Sequence, residues 1–170
     1  MFIKIPEVTP SIMEWKQLKI KADKIKSSLT DLECKSFFDI AKDVETVVEI
    51  GSSNGKSTVC LSSAKTVYAI DPHEGGTYDN FIENTKDIEN IKLIRKRAEL
   101  VDWNKPIGLL FIDLGNPESP LIGELLIKYK PFLQNGSIIG ISNVAPSFRA
   151  ILNGKPLVSS YWQRNNAYKI

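Results

Sequence analysis

Five short runs of β-branched and apolar residues divide this chain: ETVVEI (45–50), TVYAID (66–71), IKLIR (91–95), IGLLFID (107–113) and GSIIGI (136–141). That rhythm limits the fold severely. The stretches between them, GKSTVCLSSA, YDNFIENTKDI, the short AELVDW and ESPLIGELLIKYKPFL, are mostly long enough for right-handed crossovers between parallel strands. The runs are apolar on both alternations, as strands covered on both faces must be. The expected fold is a three-layer, doubly wound α/β domain whose mostly parallel sheet has the order 3-2-1-4-5, followed by a short terminal hairpin. After Val144 the sequence suggests a short helix near Pro146 to Leu152 and two weak strands, LVSSYW and AYKI.

Ahead of the first run, Ile12, Trp15, Leu18, Ala22, Ile25 and Leu29 recur at three- and four-residue steps, which predicts an amphipathic helix within residues 1–29. Thr30 followed by Glu33 makes a capping box for a second helix through Phe37, Phe38, Ile40 and Ala41. Residues 30–170 are then expected to form the ligand-binding domain, with the helix pair as a candidate partial lid or homodimer surface. At 170 residues the chain can bury a core without disulfides or metals. Cys34 and Cys60 have no paired spacing, no secretory leader is evident at MFIKIPEV, and no apolar run approaches bilayer length. A cytoplasmic protein that does not span a membrane is the expectation. The 22 basic and 20 acidic residues leave a net charge of +2, too small to argue for nucleic acid. The local cluster KLIRKR (92–97) is divided by strand alternation, so small-molecule substrates are favoured over nucleic acid.

In an open parallel sheet, ligands bind beyond the carboxyl ends of the strands. The residues just past the first run are VVEIGSSNGKST, in which Gly51 and Gly55 permit sharp turns and a close backbone approach to a ligand. Three ligands compete for such a loop. A dinucleotide loop wants G-x-G-x-x-G, whereas the spacing here is G-x-x-x-G with Ser53 in the middle. A phosphate loop wants G-x-x-x-x-G-K-[ST]; Gly55-Lys56-Ser57 supplies its end, and Asp113 resembles the aspartate that assists magnesium, but the loop is one residue short. The third ligand is S-adenosyl-L-methionine, with an acidic residue at the end of the first strand and another closing the second. Glu49 and Asp71 hold those places, and a carboxylate at Asp71 can accept hydrogen bonds from both ribose hydroxyls.

At these positions the chain resembles the class I S-adenosylmethionine-dependent methyltransferases. The pattern it matches runs vvEiGs-x-x-GxST, then a strand ending in D, then lFID. The resemblance covers Thr30 to Val144, and EIGSSNGKST is its most specific part. It implies a seven-stranded sheet with the last strand antiparallel and the cofactor lying over Gly51. It also places the methionine end of the cofactor against Glu49, Gly51, Ser52 and Ser53, within a loop completed by Asn54 and Gly55. Ser57 and Thr58 cap the helix that follows, Asp71 takes the ribose, and Pro72 and His73 border the adenosine or the cleft rim. Arg97 and Ala98 stand where relatives carry an acidic and a small residue, so a backbone contact from Ala98 carries over.

Metal-dependent relatives use an aspartate after the fourth strand and an Asp-Asn pair after the fifth; here Asp113 is followed by Ser142-Asn143, so no metal is expected. Asp113 is the candidate group facing the transferred methyl or the acceptor. His73, the one histidine, is a candidate general base or a loop residue beside the ribose site. The implied activity is methyl transfer to a small molecule, with two alternatives: a nucleotide-phosphate enzyme, and a non-catalytic cofactor-binding or interaction protein.

Overall fold

The computed structural model describes residues 14–116 and 119–142, together with the backbone of 151–152, 155–156 and 168–169. The strands are β1 (Thr46–Ile50), β2 (Thr66–Ile70), β3 (Ile91–Ile94), β4 (Ile107–Ile112) and β5 (Leu133–Ile141), followed by the two-residue strands β6 (Ile151–Leu152), β7 (Lys155–Pro156) and β8 (Tyr168–Lys169). The main sheet has the order β3-β2-β1-β4-β5-β8. The first five are parallel, in the expected 3-2-1-4-5 arrangement, and β8 runs antiparallel beside β5. Among the described residues the sheet thus has six strands, and β6 and β7 form a separate antiparallel pair. Residues 151–152, expected to end a helix, are strand instead, because their backbone pairs with 155–156; the rest of that expected helix and LVSSYW lie outside the described residues.

Alternation along the central strands builds two cores. Val47, Leu109 and Phe111 face one side and join Leu18, Ala22, Phe37 and Leu61; Val48, Leu110 and Ile112 face the other and join Ile122, Leu125 and Tyr129. Both faces are covered. The helices on the first side are α1 (Trp15–Ala22), α2 (Asp31–Ala41) and α3 (Lys56–Leu61), while α5 (Leu121–Tyr129) covers the second. The remaining helix, α4 (Tyr78–Thr85), follows β2 and packs beside α3.

The first helix is shorter than its apolar stripe. It ends at Ala22, yet Ile25 is buried and Leu29 half-buried in the same core, so the stripe continues through a turn and a linker. The linker stops at a capping box: Thr30 Oγ1 accepts from the Glu33 N–H at 3.3 Å, and Glu33 Oε2 accepts from the Thr30 N–H at 2.8 Å. Strand β5 is longer than its apolar run. Its pairing with β4 jumps from Ile107–Leu133 to Leu109–Ile138, and Ser137 Oγ bridges this bulge by donating to the Ile107 carbonyl at 2.6 Å. Cys34, Cys60 and Trp103 are buried, as packing residues should be.

Thr30→Ala should lower the unfolding free energy by about 1 kcal/mol through loss of the cap, and Leu110→Ala by about 2–5 kcal/mol through a core cavity. Urea unfolding monitored by circular dichroism measures both.

Candidate functional site

At the carboxyl edge of the sheet the strand ends stay tied after their side chains part. The Gly51 N–H donates to the Ile70 carbonyl at 2.9 Å, and the Asp113 N–H donates to the Ile50 carbonyl at 2.8 Å. Gly51 has φ +90°, and a Cβ there would lie 1.8 Å from the Asp113 carbonyl oxygen. Only glycine fits. Ser53 (φ +47°) and Gly55 (φ +91°) also turn left-handed, curling the loop over the strand ends.

Asp71 locks this loop to its neighbour. One carboxylate oxygen accepts from the Ser53 N–H at 2.8 Å, the other from the His73 N–H at 2.6 Å. Each oxygen keeps acceptor capacity for a ligand. Asp71 lines a cavity of about 760 Å³, within the size range of small-molecule sites. Of the residues singled out by sequence, Gly51, Ser52, Ser53, Asn54, Ser57, Asp71, Pro72, Ala98 and Asp113 line this cavity. Glu49, Gly55, Thr58 and His73 do not.

The reasons are geometric. Alternation sends the Glu49 side chain to the α3 side of the sheet, where it is fully buried and accepts from the Thr58 hydroxyl. Burial pushes its carboxyl up to about 7, against the lowering effect of the Ser57 and Thr58 hydroxyls. Gly55 packs under α4, where a Cβ would meet Phe81 and Thr85 at 3.2 Å. His73, with φ +54°, is buried behind Asp71 between Tyr78 and Phe81, its Nδ1 2.8 Å from Thr77 Oγ1. Burial lowers its pKa below the usual histidine value, so it is neutral at pH 7. Asp113 is half-buried at the cavity wall, and burial raises its carboxyl above the usual range while the Gly115 N–H and Ser142 side chain act the other way.

The cavity also has a wall that the motifs do not mark. The linker between α1 and α2, Lys26 to Leu29, lines it and is pinned to the glycine loop. Asn54 Nδ2 donates to the Lys26 carbonyl at 3.3 Å, and Lys56 Nζ donates to the Leu29 carbonyl at 3.1 Å. The burial of Leu29 was visible in the helical stripe, but backbone carbonyls carry no residue signal. On the far side, Arg97 grips Glu74 through two hydrogen bonds of 3.0 and 2.9 Å, and both line the cavity. The rest of KLIRKR is dispersed, with Lys92 over the Tyr68 ring and Arg95 over the Tyr78 ring.

The donors fit an amino-acid-bearing nucleoside better than a polyphosphate. Ser52, a cavity-lining residue, has its Oγ buried without a hydrogen-bond partner. A phosphate loop needs free N–H groups and a free lysine, whereas here the Ser53 N–H already serves Asp71 and Lys56 is bound to Leu29.

Comparison with known proteins agrees with this geometry. A family model for the methyltransferase domain matches residues 48–144, more than half of the chain. Similar solved structures include an rRNA methylase from Streptococcus thermophilus (22% identity, TM-score 0.53, covering 68% of this chain and 71% of the other). The O-methyltransferase TomG from Streptomyces achromogenes, in complex with SAM, aligns at 16% identity and TM-score 0.59, covering 78% and 67% of the two chains. A search of curated proteins found no match. This chain belongs to the methyltransferase-domain family, within the class I S-adenosylmethionine-dependent methyltransferases. No helix among the described residues is long and apolar enough to cross a membrane.

Gly51→Ala should cost more than about 3 kcal/mol, because the new Cβ overlaps backbone. Gly115→Ala, at φ +71° with nothing within 4 Å of the added carbon, should cost about 1 kcal/mol. Chemical denaturation of the two variants measures the contrast. Glu49 supplies a pH signature: its folded pKa lies above the unfolded value, so the folded state holds the extra proton and stability falls as pH rises from 4.5 to about 7. Glu49→Gln should therefore gain on the parent across that window, by up to about 3 kcal/mol above it, in unfolding curves recorded from pH 4 to 8.5.

Proposed function

We propose that this chain transfers a methyl group from S-adenosyl-L-methionine to a small-molecule acceptor without the help of a metal. The observation that carries the reading is the Gly51 bend, which opens a cavity at the strand ends with Asp71 on one side and Asp113 on the other. When bound, the cofactor supplies an electrophilic methyl group that already carries its leaving group. The protein's task is alignment.

In this reading Gly51, Ser52, Ser53 and Asn54 hold the amino-acid end, Asp71 and Pro72 the ribose, and Ala98 the edge of the base. Glu49, Gly55, Ser57 and Thr58 shape the loop, all but Ser57 from positions off the cavity wall. Asp113 faces the acceptor and takes its proton as the new bond forms, a role that its raised pKa favours. His73 sits too deep to reach an acceptor and instead sets the turn whose N–H holds Asp71. The linker 26–29 acts as a partial lid on the acceptor side.

Donor chemistry supports metal independence. Around Asp113 the partners are a backbone N–H and a serine hydroxyl, and among the described residues no three His, Cys, Asp or Glu side chains gather into a ligand set. Magnesium and calcium favour several charged oxygens. A small-molecule acceptor is supported by the scattered basic residues of KLIRKR, which form no continuous phosphate-binding face.

A thermal-shift panel tests the reading. S-adenosylmethionine and S-adenosylhomocysteine should each raise the melting temperature by several degrees at concentrations about a hundredfold above Kd, while NAD and ATP with magnesium leave it unchanged. Asp71→Ala should remove the shift. A shift with ATP and magnesium alone would replace this function with a nucleotide-phosphate one.

A further inference from the structure

Two loops meet at the end of the cavity away from the linker. After β2 the chain turns at residues 73–76, where the Gly76 N–H donates to the His73 carbonyl at 3.2 Å and Glu74 stands at the tip of the turn. The same turn holds Asp71 through the His73 N–H. After β3 the chain tightens at Arg97, whose carbonyl accepts from the Leu100 N–H at 2.9 Å in the single helical turn Ala98–Leu100. Glu74 and Arg97 both line the cavity, with Asp71, Pro72 and Ala98, and they join the two loops: Arg97 Nε donates to Glu74 Oε1 at 3.0 Å and Nη2 to Oε2 at 2.9 Å.

Both side chains are more than half exposed, so the pair contributes little to stability. What matters for a ligand is the hydrogen-bonding capacity that it leaves open. Two of the five guanidinium N–H groups are spent on Glu74, which leaves three as donors, and each Glu74 oxygen keeps a lone pair. The guanidinium beside Glu74 holds its carboxyl below the usual range, so at neutral pH the carboxylate only accepts and the guanidinium only donates. An amide can flip and a hydroxyl can rotate. This pair has a fixed polarity.

We propose that Glu74 and Arg97 together read the 6-amino edge of the cofactor's adenine and reject a 6-oxo purine. This rests on the cofactor reading above, which puts the ribose at Asp71. Glu74 follows Asp71 by three residues, a step that the chain spans in at most about 10 Å, so the pair stands within a nucleoside's length of the carboxylate that takes the sugar. Adenine offers its N6–H donor beside an acceptor nitrogen on each free edge, N1 on one and N7 on the other. Either edge matches a carboxylate set beside a guanidinium. In hypoxanthine the order of donor and acceptor is reversed on the first edge, and the donor is lost from the second. With the sugar fixed at Asp71 and the polarity of the pair fixed, neither edge matches, and a charged acceptor is left facing oxygen.

Isothermal titration calorimetry at pH 7.5 with S-adenosylhomocysteine and its 6-oxo analogue, S-inosylhomocysteine, tests this. The adenosyl compound should bind the parent protein about tenfold or more tighter, the scale of one hydrogen bond to a charged group. Glu74→Gln supplies an amide that can turn its NH2 toward a 6-oxo group, and the preference should fall to within about threefold while both ligands still bind, which also shows that the variant is folded. Arg97→Met frees the carboxylate to swing away and should lower the preference as well. A role limited to joining the two loops would weaken both ligands in the same proportion and leave their ratio where it was. Inosyl binding as tight as adenosyl binding in the parent, or a ratio unchanged in either variant, overturns base selection by this pair and leaves the cofactor assignment standing. Failure of both ligands to bind the parent overturns both.

Discussion

The site depends on one close approach, the backbone of Gly51 against the carbonyl of Asp113. Strands β1 and β4 lie side by side at the centre of the sheet, and their chains must separate to open a cavity above the edge. They separate by a left-handed turn that passes within bonding distance of where a side chain would begin. The absence of a Cβ is therefore a folding requirement of this close approach. The same contact keeps Asp113 beside the loop, so groups on two sides of the cavity are positioned by one piece of backbone. Asp71 extends this order sideways by fastening Ser53 and His73.

Much of this was legible because it depends on side-chain type repeated at regular spacing. Alternating Val47 and Val48, or Leu110 and Phe111, predicted strands covered on two sides, and both cores are present. Gly51 and Asp71 were legible for a different reason, since a turn and a strand-end carboxylate each demand particular residues. What escaped was set by main-chain groups or by depth. The linker reaches the cavity through the carbonyls of Lys26 and Leu29, which any residue could present. Glu49 and His73 carry the right chemistry yet point into the body of the protein, one because of strand alternation and the other because a left-handed turn folds it beneath α4.

Buried polarity near the site has a common logic. Thr58 hands its hydroxyl to Glu49, Thr77 contacts His73, and Ser137 bridges the bulge in β5, so most polar atoms below the sheet edge are satisfied. Among the described residues the exceptions are at Glu49, Ser52 and His73, all within a few residues of the strand ends. Unmet hydrogen bonds cost stability, and proteins concentrate such costs where ligands bind. The fold tolerates them because two apolar layers, rather than the loop, supply most of the stabilisation.

The pinning of residues 26–29 to Asn54 and Lys56 has a bearing on how the chain matures. That wall is synthesised first, its anchors follow some thirty residues later, and the opposite wall at Asp113 emerges only after twice that length again. A nascent polypeptide emerging from the ribosome thus holds an unfinished cleft until β4 docks alongside β1. Metabolite rescue of a faltering nascent chain must wait until Asp113 has emerged, and assembly before that point must rely on apolar packing alone.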